Sequence, residues 1–343
     1  MKTTKSELDA QIKLKQVLQE WTATSFGRRQ FLAYSSLLLA SCATTEKTRT
    51  REGDNTGQET AMTVNDEKKM TQEVLPEMRK QYPPLNNPYL QNYVVGLGRK
   101  ITAANGLEGN PYNYSFAVVD VNYVNAFALP AGTVFVTTPL IAMAESEAEL
   151  AGVIGHEIGH VTARHTAERI EAQKKAEGKT WLLGAGGGIL GGVLGYGAGK
   201  LLCAKGDNEC MTKATVYGAA AGVGGGLLIQ KFKFMANSRE DEMEADRIGF
   251  KTSVRAGYDR DSVGKFYAKL LQMEKQSKQN QNAMVASLAD AMSTHPPSQE
   301  RVNQMNQMAQ QQPQRPNAIV NTKEFEQAKK ISQQIAQSKP KTS

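Results

Sequence analysis

The sequence predicts an α+β fold, a mostly helical domain with a small β-sheet beside one functional helix. Three observations carry this. Helical patterning and caps account for most segments between residues 63 and 310. The period drops to two at "YNYSFAVV" (112–119), and "TVFVTT" (133–138) follows as a second strand. Three of the four histidines fall in one long helical segment that opens at Ser146.

Residues 1–41 read as an export signal rather than structure: a polar stretch ends in "GRRQFL", the apolar run "AYSSLLLA" follows, and "LASC" (39–42) closes it. That run is too short for a membrane-spanning helix. "LASC" resembles a lipobox, which makes Cys42 the expected lipid anchor, and Ala43 after it favours the bacterial outer membrane, facing the periplasm. "RRQFL" resembles the core of a twin-arginine signal, with Gly27 where Ser or Thr is usual; a general secretory signal is the alternative. The chain carries a net charge of +7, and about +4 remains without residues 1–41, too dispersed for a nucleic-acid partner.

Residues 42–62 lack large apolar side chains apart from Met62 and are expected to form a flexible tether. Helices are predicted near Val64–Gln81 and Pro88–Ala104, separated by "PPLNNP". The strand at 112–119 alternates Tyr112, Tyr114, Phe116 and Val118 with smaller residues, and "NAFALPAG" (125–132) leads to the second strand. "SEAE" then starts a helix, with Ser146 as N-cap and Glu149 three residues on, running to about Glu177 before Gly178. Residues 181–230 read as a hairpin of two glycine-rich helices, either packed on its own domain or dipping into a membrane. Cys203 and Cys210 lie in its loop and, in an exported chain, read as a disulfide. Further helices reach about Ala309, and residues 311–343 form a polar, Gln-rich tail with one helix near Lys323–Gln337.

The chemistry concentrates in "HEIGHVTARH" (156–165). His156, Glu157 and His160 form H-E-x-x-H within a predicted helix. Residues four apart lie about 40° from each other, so both imidazoles reach one ion. Glu157, rotated by about 100°, stands beside the metal, where it can take a proton from water. Leu150, Ile154, Ile158 and Val161 form the opposite, core-facing stripe. His165 falls in that stripe, which makes it a hydrogen-bonded core histidine rather than a ligand.

A third ligand is required, and "EDEMEAD" (240–246) is the candidate. Residues 237–257 read as a helix capped by Ser238 and Asp241 and stopped by Gly257. Glu242 and Asp246 share a face flanked by apolar residues. Glu240 and Glu244 share the opposite face with Arg247, Lys251 and Arg255, as a solvated surface would. Buried carboxylates need a partner or a metal. Glu242 is therefore the expected third ligand, and Asp246 the carboxylate that orients a ligating imidazole, His156; a buried ion pair with a basic residue is the bland alternative.

Residues 63–310 resemble the zinc metalloproteases of gluzincin type that include HtpX and the CAAX prenyl proteases, nearest to their periplasmic lipoprotein branch. The resemblance rests on "NAFALPAG", "HEIGHVTARH", "EMEAD" and "STHPPSQERV" (293–302). It implies one Zn²⁺ per subunit on His156, His160 and Glu242, with Glu157 as catalytic base and Asp246 as a proton donor or orienting group. It also implies that Asn125, Ala126, Phe127 and Ala128 form a substrate-binding edge, and that His295 approaches the zinc as an oxyanion stabiliser or latent fourth ligand. "PAG" (130–132) departs from the family's usual "PGG". The expectation is an envelope endopeptidase acting on unfolded or misassembled polypeptides; a zinc-stabilised chaperone is the rival reading.

Overall fold

Side-chain caps set where several of the helices begin. In the computed structural model, which describes residues 52–53, 55, 58, 60–109, 111–177, 237–279 and 288–338, Thr63 and Asp66 form a reciprocal capping box at the start of α1 (Val64–Gln81). Asn87 accepts from the Leu90 N–H to open α2 (Pro88–Ala104), whose Pro88 sits where an N–H would be unpaired in any case. These are the boundaries expected. The described residues belong to the unit spanning 51–343.

The sheet has three strands: β1 (Ser115–Val119), β2 (Ala126–Ala128) and β3 (Thr133–Thr137), in the order β1-β3-β2. β1 and β3 run parallel, with Phe116 opposite Val134; β2 runs antiparallel to β3, with Phe127 opposite Phe135. The period of two divides the side chains between two cores. Phe116, Val118, Val134 and Val136 join the main core with Leu90, Leu97 and Leu150, whereas Val119 and Phe135 pack with Val74, Met78 and Tyr82 of α1. The first strand begins three residues later than its alternation suggested, because its partner β3 starts at Thr133, opposite Ser115.

After the short α3 (Thr138–Met143), α4 (Glu147–Thr162) runs through the centre, and its residues from Glu147 to Val161 are all buried. Ser146 caps it through the Glu149 N–H, but Glu149 reaches past the cap to the Glu145 N–H. The helix does not continue to Glu177 as one piece. Arg164 takes φ 55°, which breaks the helix, its guanidinium is held by Glu67 and the Met62 carbonyl, and α5 (His165–Glu177) starts at the next residue.

α6 (Arg239–Arg255) lies against α4, and Ser238 and Asp241 supply the expected capping box. The two backbones touch. A Cβ at Gly249 would stand 2.6 Å from His156 N, and one at Gly155 would stand 2.8 Å from the Gly249 carbonyl oxygen. This closeness brings the carboxylates of α6 to the histidines of α4. The remaining described helices are α7 (Arg260–Val263), α8 (Lys265–Gln279), α9 (Ala289–Thr294), α10 (Gln299–Gln311) and α11 (Lys323–Ser338).

Two further expectations are corrected. The stretch read as a polar tail is built into the core: Ile319 bridges to Tyr258, the Ala148 N–H donates to the Val320 carbonyl, and Phe325 and Ala328 are fully buried. The described part of the tether is docked as well. Asn55 and Gln58 donate to the carbonyls of Thr162 and Ala163 at the break between α4 and α5, and Thr60 donates to the Ala167 carbonyl on α5. Residues 1–41, Cys42, the hairpin at 181–230 and the Cys203–Cys210 pair lie outside the described residues. Among the described residues no helix is long and apolar enough to cross a membrane.

Candidate metal centre

One turn of α4 and one turn of α6 face each other across their glycine contact, and α9 delivers a third element. His156 and His160 come from α4, Glu242 from α6, and His295 from the C-cap of α9. One ligand atom from each of these four lies within 4.8 Å of the others. His156 Nε2 stands 2.9 Å from His160 Nε2 and 3.2 Å from His295 Nδ1; Glu242 Oε1 stands 3.2 Å from His160 Nε2 and 3.0 Å from His295 Nδ1. A tetrahedral zinc site with bonds of about 2.0–2.1 Å has edges of roughly 3.3 Å, so the donor set has the size and chemistry such an ion requires. Three ring nitrogens and a carboxylate aimed at one point also repel unless something positive sits among them. The Asn237 amide answers the same demand, donating to Glu242 Oε1 and lying 3.3 Å from both His160 Nε2 and His295 Nδ1.

The outer contacts hold the donors in place. His156 Nδ1 is 2.8 Å from Asp246 Oδ1, which leaves Nε2 turned to the cluster. Arg301, on α10 and 2% exposed, grips Asp246 with two bonds of 2.7 Å and places Nη1 2.7 Å from Glu242 Oε2. Its guanidinium also stacks over Tyr267. Asp246 thus touches both His156 and a buried arginine, the two kinds of partner considered from sequence.

Burial alone would pull the His156 imidazole down, but Glu242 and Asp246 outweigh it and push it up to about 9. Burial and the neighbouring His156 hold His160 well below the usual imidazole range. For Glu242, burial acts upward, yet His295 and Arg301 keep it well below the usual carboxylate range. Glu157 lies beside the cluster, its carboxylate 3.5 Å from His295 Nε2 and accepting the Ala128 N–H; burial raises it. A carboxylate that holds a proton more readily than usual suits a group that must accept one.

Asn125 and Ala126 are buried, while Phe127 and Ala128 are half-buried on β2, the outer strand next to β3. The Asn125 N–H donates to Thr137 Oγ1, and Phe127 stacks on Phe135 at 5.0 Å. Through its bond to Glu157, Ala128 ties this edge to the cluster.

One sequence expectation fails at Glu244. It is fully buried rather than solvated, with Oε2 3.3 Å from His165 Nε2, and only Glu240 of the pair is exposed. The helical wheel gives phase along α6 but not what stands opposite it. The far face is covered by α5 and by residues near Gly53, with Glu52 pairing to Arg247 and Lys251. His165 is buried and hydrogen-bonded as expected, although it sits on a different helix axis from His160. Sequence reasoning missed Arg301, Asn237 and Tyr267. Arg301 lay within the quoted "SQERV", and its signal was the unmet charge of two buried carboxylates.

Comparisons with known proteins agree with this geometry. The chain is 28% identical to the beta-barrel assembly-enhancing protease of Escherichia coli (strain K12) over 274 residues, 78% of this chain and 48% of that protein. Against the beta-barrel assembly-enhancing protease of Yersinia pestis it is 28% identical over 251 residues, 71% of this chain and 45% of that one. It is 30% identical over 259 residues to the mitochondrial metalloendopeptidase OMA1 of Arabidopsis thaliana, covering 76% and 44%. The chain spans about half the length of the curated relatives it matches. Residues 84–309, which include both helices of the cluster, the outer strand, His295 and Arg301, match the model of Peptidase family M48, and the chain belongs to that family.

Proposed function

We propose that the chain is a zinc-dependent endopeptidase of the bacterial cell envelope that cleaves unfolded or misassembled proteins. The observation that carries this is the convergence of His156, His160 and Glu242 beside the buried carboxylate of Glu157, next to an outer β-strand. Zn²⁺ held by these three ligands supplies a Lewis acid that polarises a peptide carbonyl and makes water acidic enough to attack at neutral pH. Glu157 accepts the water proton and delivers it to the leaving amine. Both oxygens of Asp246 are taken by Arg301 and His156, so its role is to orient His156 rather than to donate a proton. The main chain of Asn125–Ala128 receives an extended substrate as an added strand, which favours unfolded segments over folded ones.

As the fourth donor of the cluster, His295 would hold the site latent when it joins the other three, and when turned aside it would admit water and could donate a hydrogen bond to the oxyanion. The envelope setting is supported by the export-signal pattern of residues 1–41, by the lipobox-like "LASC" that would lipidate Cys42, by Cys203 and Cys210 as a pair suited to a disulfide, and by the similarity to the beta-barrel assembly-enhancing proteases of bacteria. Anchored to the outer membrane and facing the periplasm, the enzyme would meet proteins that have failed to assemble. The test is Glu157→Gln. The variant should keep zinc and lose cleavage of a reduced, unfolded protein; cleavage at the wild-type rate would refute the proposal.

A further inference from the structure

His156 has Asp246 to orient it, but among the described residues no carboxylate touches the outer nitrogen of His160. That nitrogen, Nδ1, lies instead 2.8 Å from His165 Nδ1. On its other side His165 Nε2 is 3.3 Å from Glu244 Oε2, with Asp241 Oδ1 further off at 3.8 Å. The second oxygen of Glu244 accepts the Gly53 N–H at 3.4 Å. His165 and Glu244 are both fully buried, so neither contact competes with water.

The proton positions along this chain follow from one requirement. If His160 gives the lone pair of Nε2 to an ion, its own proton resides on Nδ1, which then donates to His165 Nδ1. His165 must accept there and carry its proton on Nε2, which faces a carboxylate able only to accept. Every member is satisfied in that arrangement, and the reverse one would turn a donor of His160 toward the ion.

We propose that His165 and Glu244 are positioning residues of the metal centre, holding His160 in the tautomer and orientation that present Nε2 to the ion. This rests on the reading of His160 as a zinc ligand. The pair does for the second histidine what Asp246 does for the first, with an imidazole spliced between carboxylate and ligand because Glu244 of α6 reaches the Nδ1 side of His160 through His165 at the start of α5.

The test is zinc affinity of the purified full chain, by competition with a chromophoric chelator, together with the visible spectrum of the Co²⁺-substituted protein. His165→Leu removes the acceptor and should weaken zinc binding about 10–100-fold and shift the cobalt bands. His165→Asn places a carbonyl oxygen near the lost Nδ1 and should restore affinity to within about threefold. Glu244→Gln must set its amide N–H against either His165 Nε2–H or the Gly53 N–H, and should weaken binding about tenfold. The exposed Glu240→Gln should change nothing. Wild-type affinity and cobalt spectrum in a folded His165→Leu would overturn the proposal, as would equal losses in the Leu and Asn variants, which would indicate packing alone. Should His165→Leu fail to fold, the isosteric Glu244→Gln decides, and wild-type affinity there refutes the idea. Wild-type protein that binds zinc tightly but cleaves nothing would sink the peptidase reading and leave this one standing.

Discussion

Gly249→Ala probes the contact on which the whole site depends. The added methyl carbon would lie 2.6 Å from His156 N, 2.8 Å from His156 Cα and 2.9 Å from the Gly155 carbonyl carbon. That is roughly 1 Å inside ordinary contact, and the obstacle is backbone, which cannot rotate away. α4 and α6 must therefore part by about 1 Å. Overpacking of this kind costs about 1–3 kcal/mol, against a helix-propensity gain near 1 kcal/mol from replacing Gly by Ala. The larger effect falls on the site, because the 2.8 Å contact between His156 and Asp246 would open to roughly 3.8 Å, beyond hydrogen-bond reach. Cleavage of an unfolded protein should fall about 100-fold, with weakened zinc binding. The matched control is Gly96→Ala, exposed on α2 with nothing within 4 Å of its new carbon, which should gain about 1 kcal/mol and leave activity intact. Urea unfolding and a chelator competition measure both variants. If Gly249→Ala unfolds at the wild-type midpoint and keeps its zinc affinity, the close helix contact does not set the site.

Four other outcomes are expected. Arg301→Met strands the buried carboxylates of Glu242 and Asp246 without their cation and should cost about 3–5 kcal/mol in urea unfolding of the metal-free protein; a loss below about 1 kcal/mol would count against the ion pair. Ala131, at φ 66° in the turn before β3, is the residue that departs from the family pattern, and Ala131→Gly should raise the melting temperature by relieving about 1 kcal/mol of left-handed strain. Stripping the metal with a chelator should lower the melting temperature, and zinc at about a thousand times its Kd should restore about 4 kcal/mol; a melting curve indifferent to zinc would argue against the site. His295→Ala opens the fourth position and should raise basal cleavage, whereas a fall in kcat would favour the oxyanion role alone.

Much of the site was legible along single helices. The i, i+4 spacing of His156 and His160 and the common phase of Glu242 and Asp246 are local properties of a 3.6-residue turn, so a wheel finds them. The caps at Ser146 and Ser238 were equally visible, because a helix end needs its acceptor within three residues. What stands opposite each face is set by residues far along the chain, and there the wheel had no information. Glu244 reads as solvated because Lys and Arg share its face; in the fold α5 lies over that face with Glu52 and Gly53, and His165 of α5 pairs with Glu244. Arg301, 55 residues beyond Asp246, became part of the site only when α10 packed on α6. The sequence by itself determined which side chains could bind an ion and on which turn they sit. Tertiary packing decided which carboxylates are buried, what orients each imidazole and how near His295 comes, because those depend on helix contacts within van der Waals distance that no periodicity encodes.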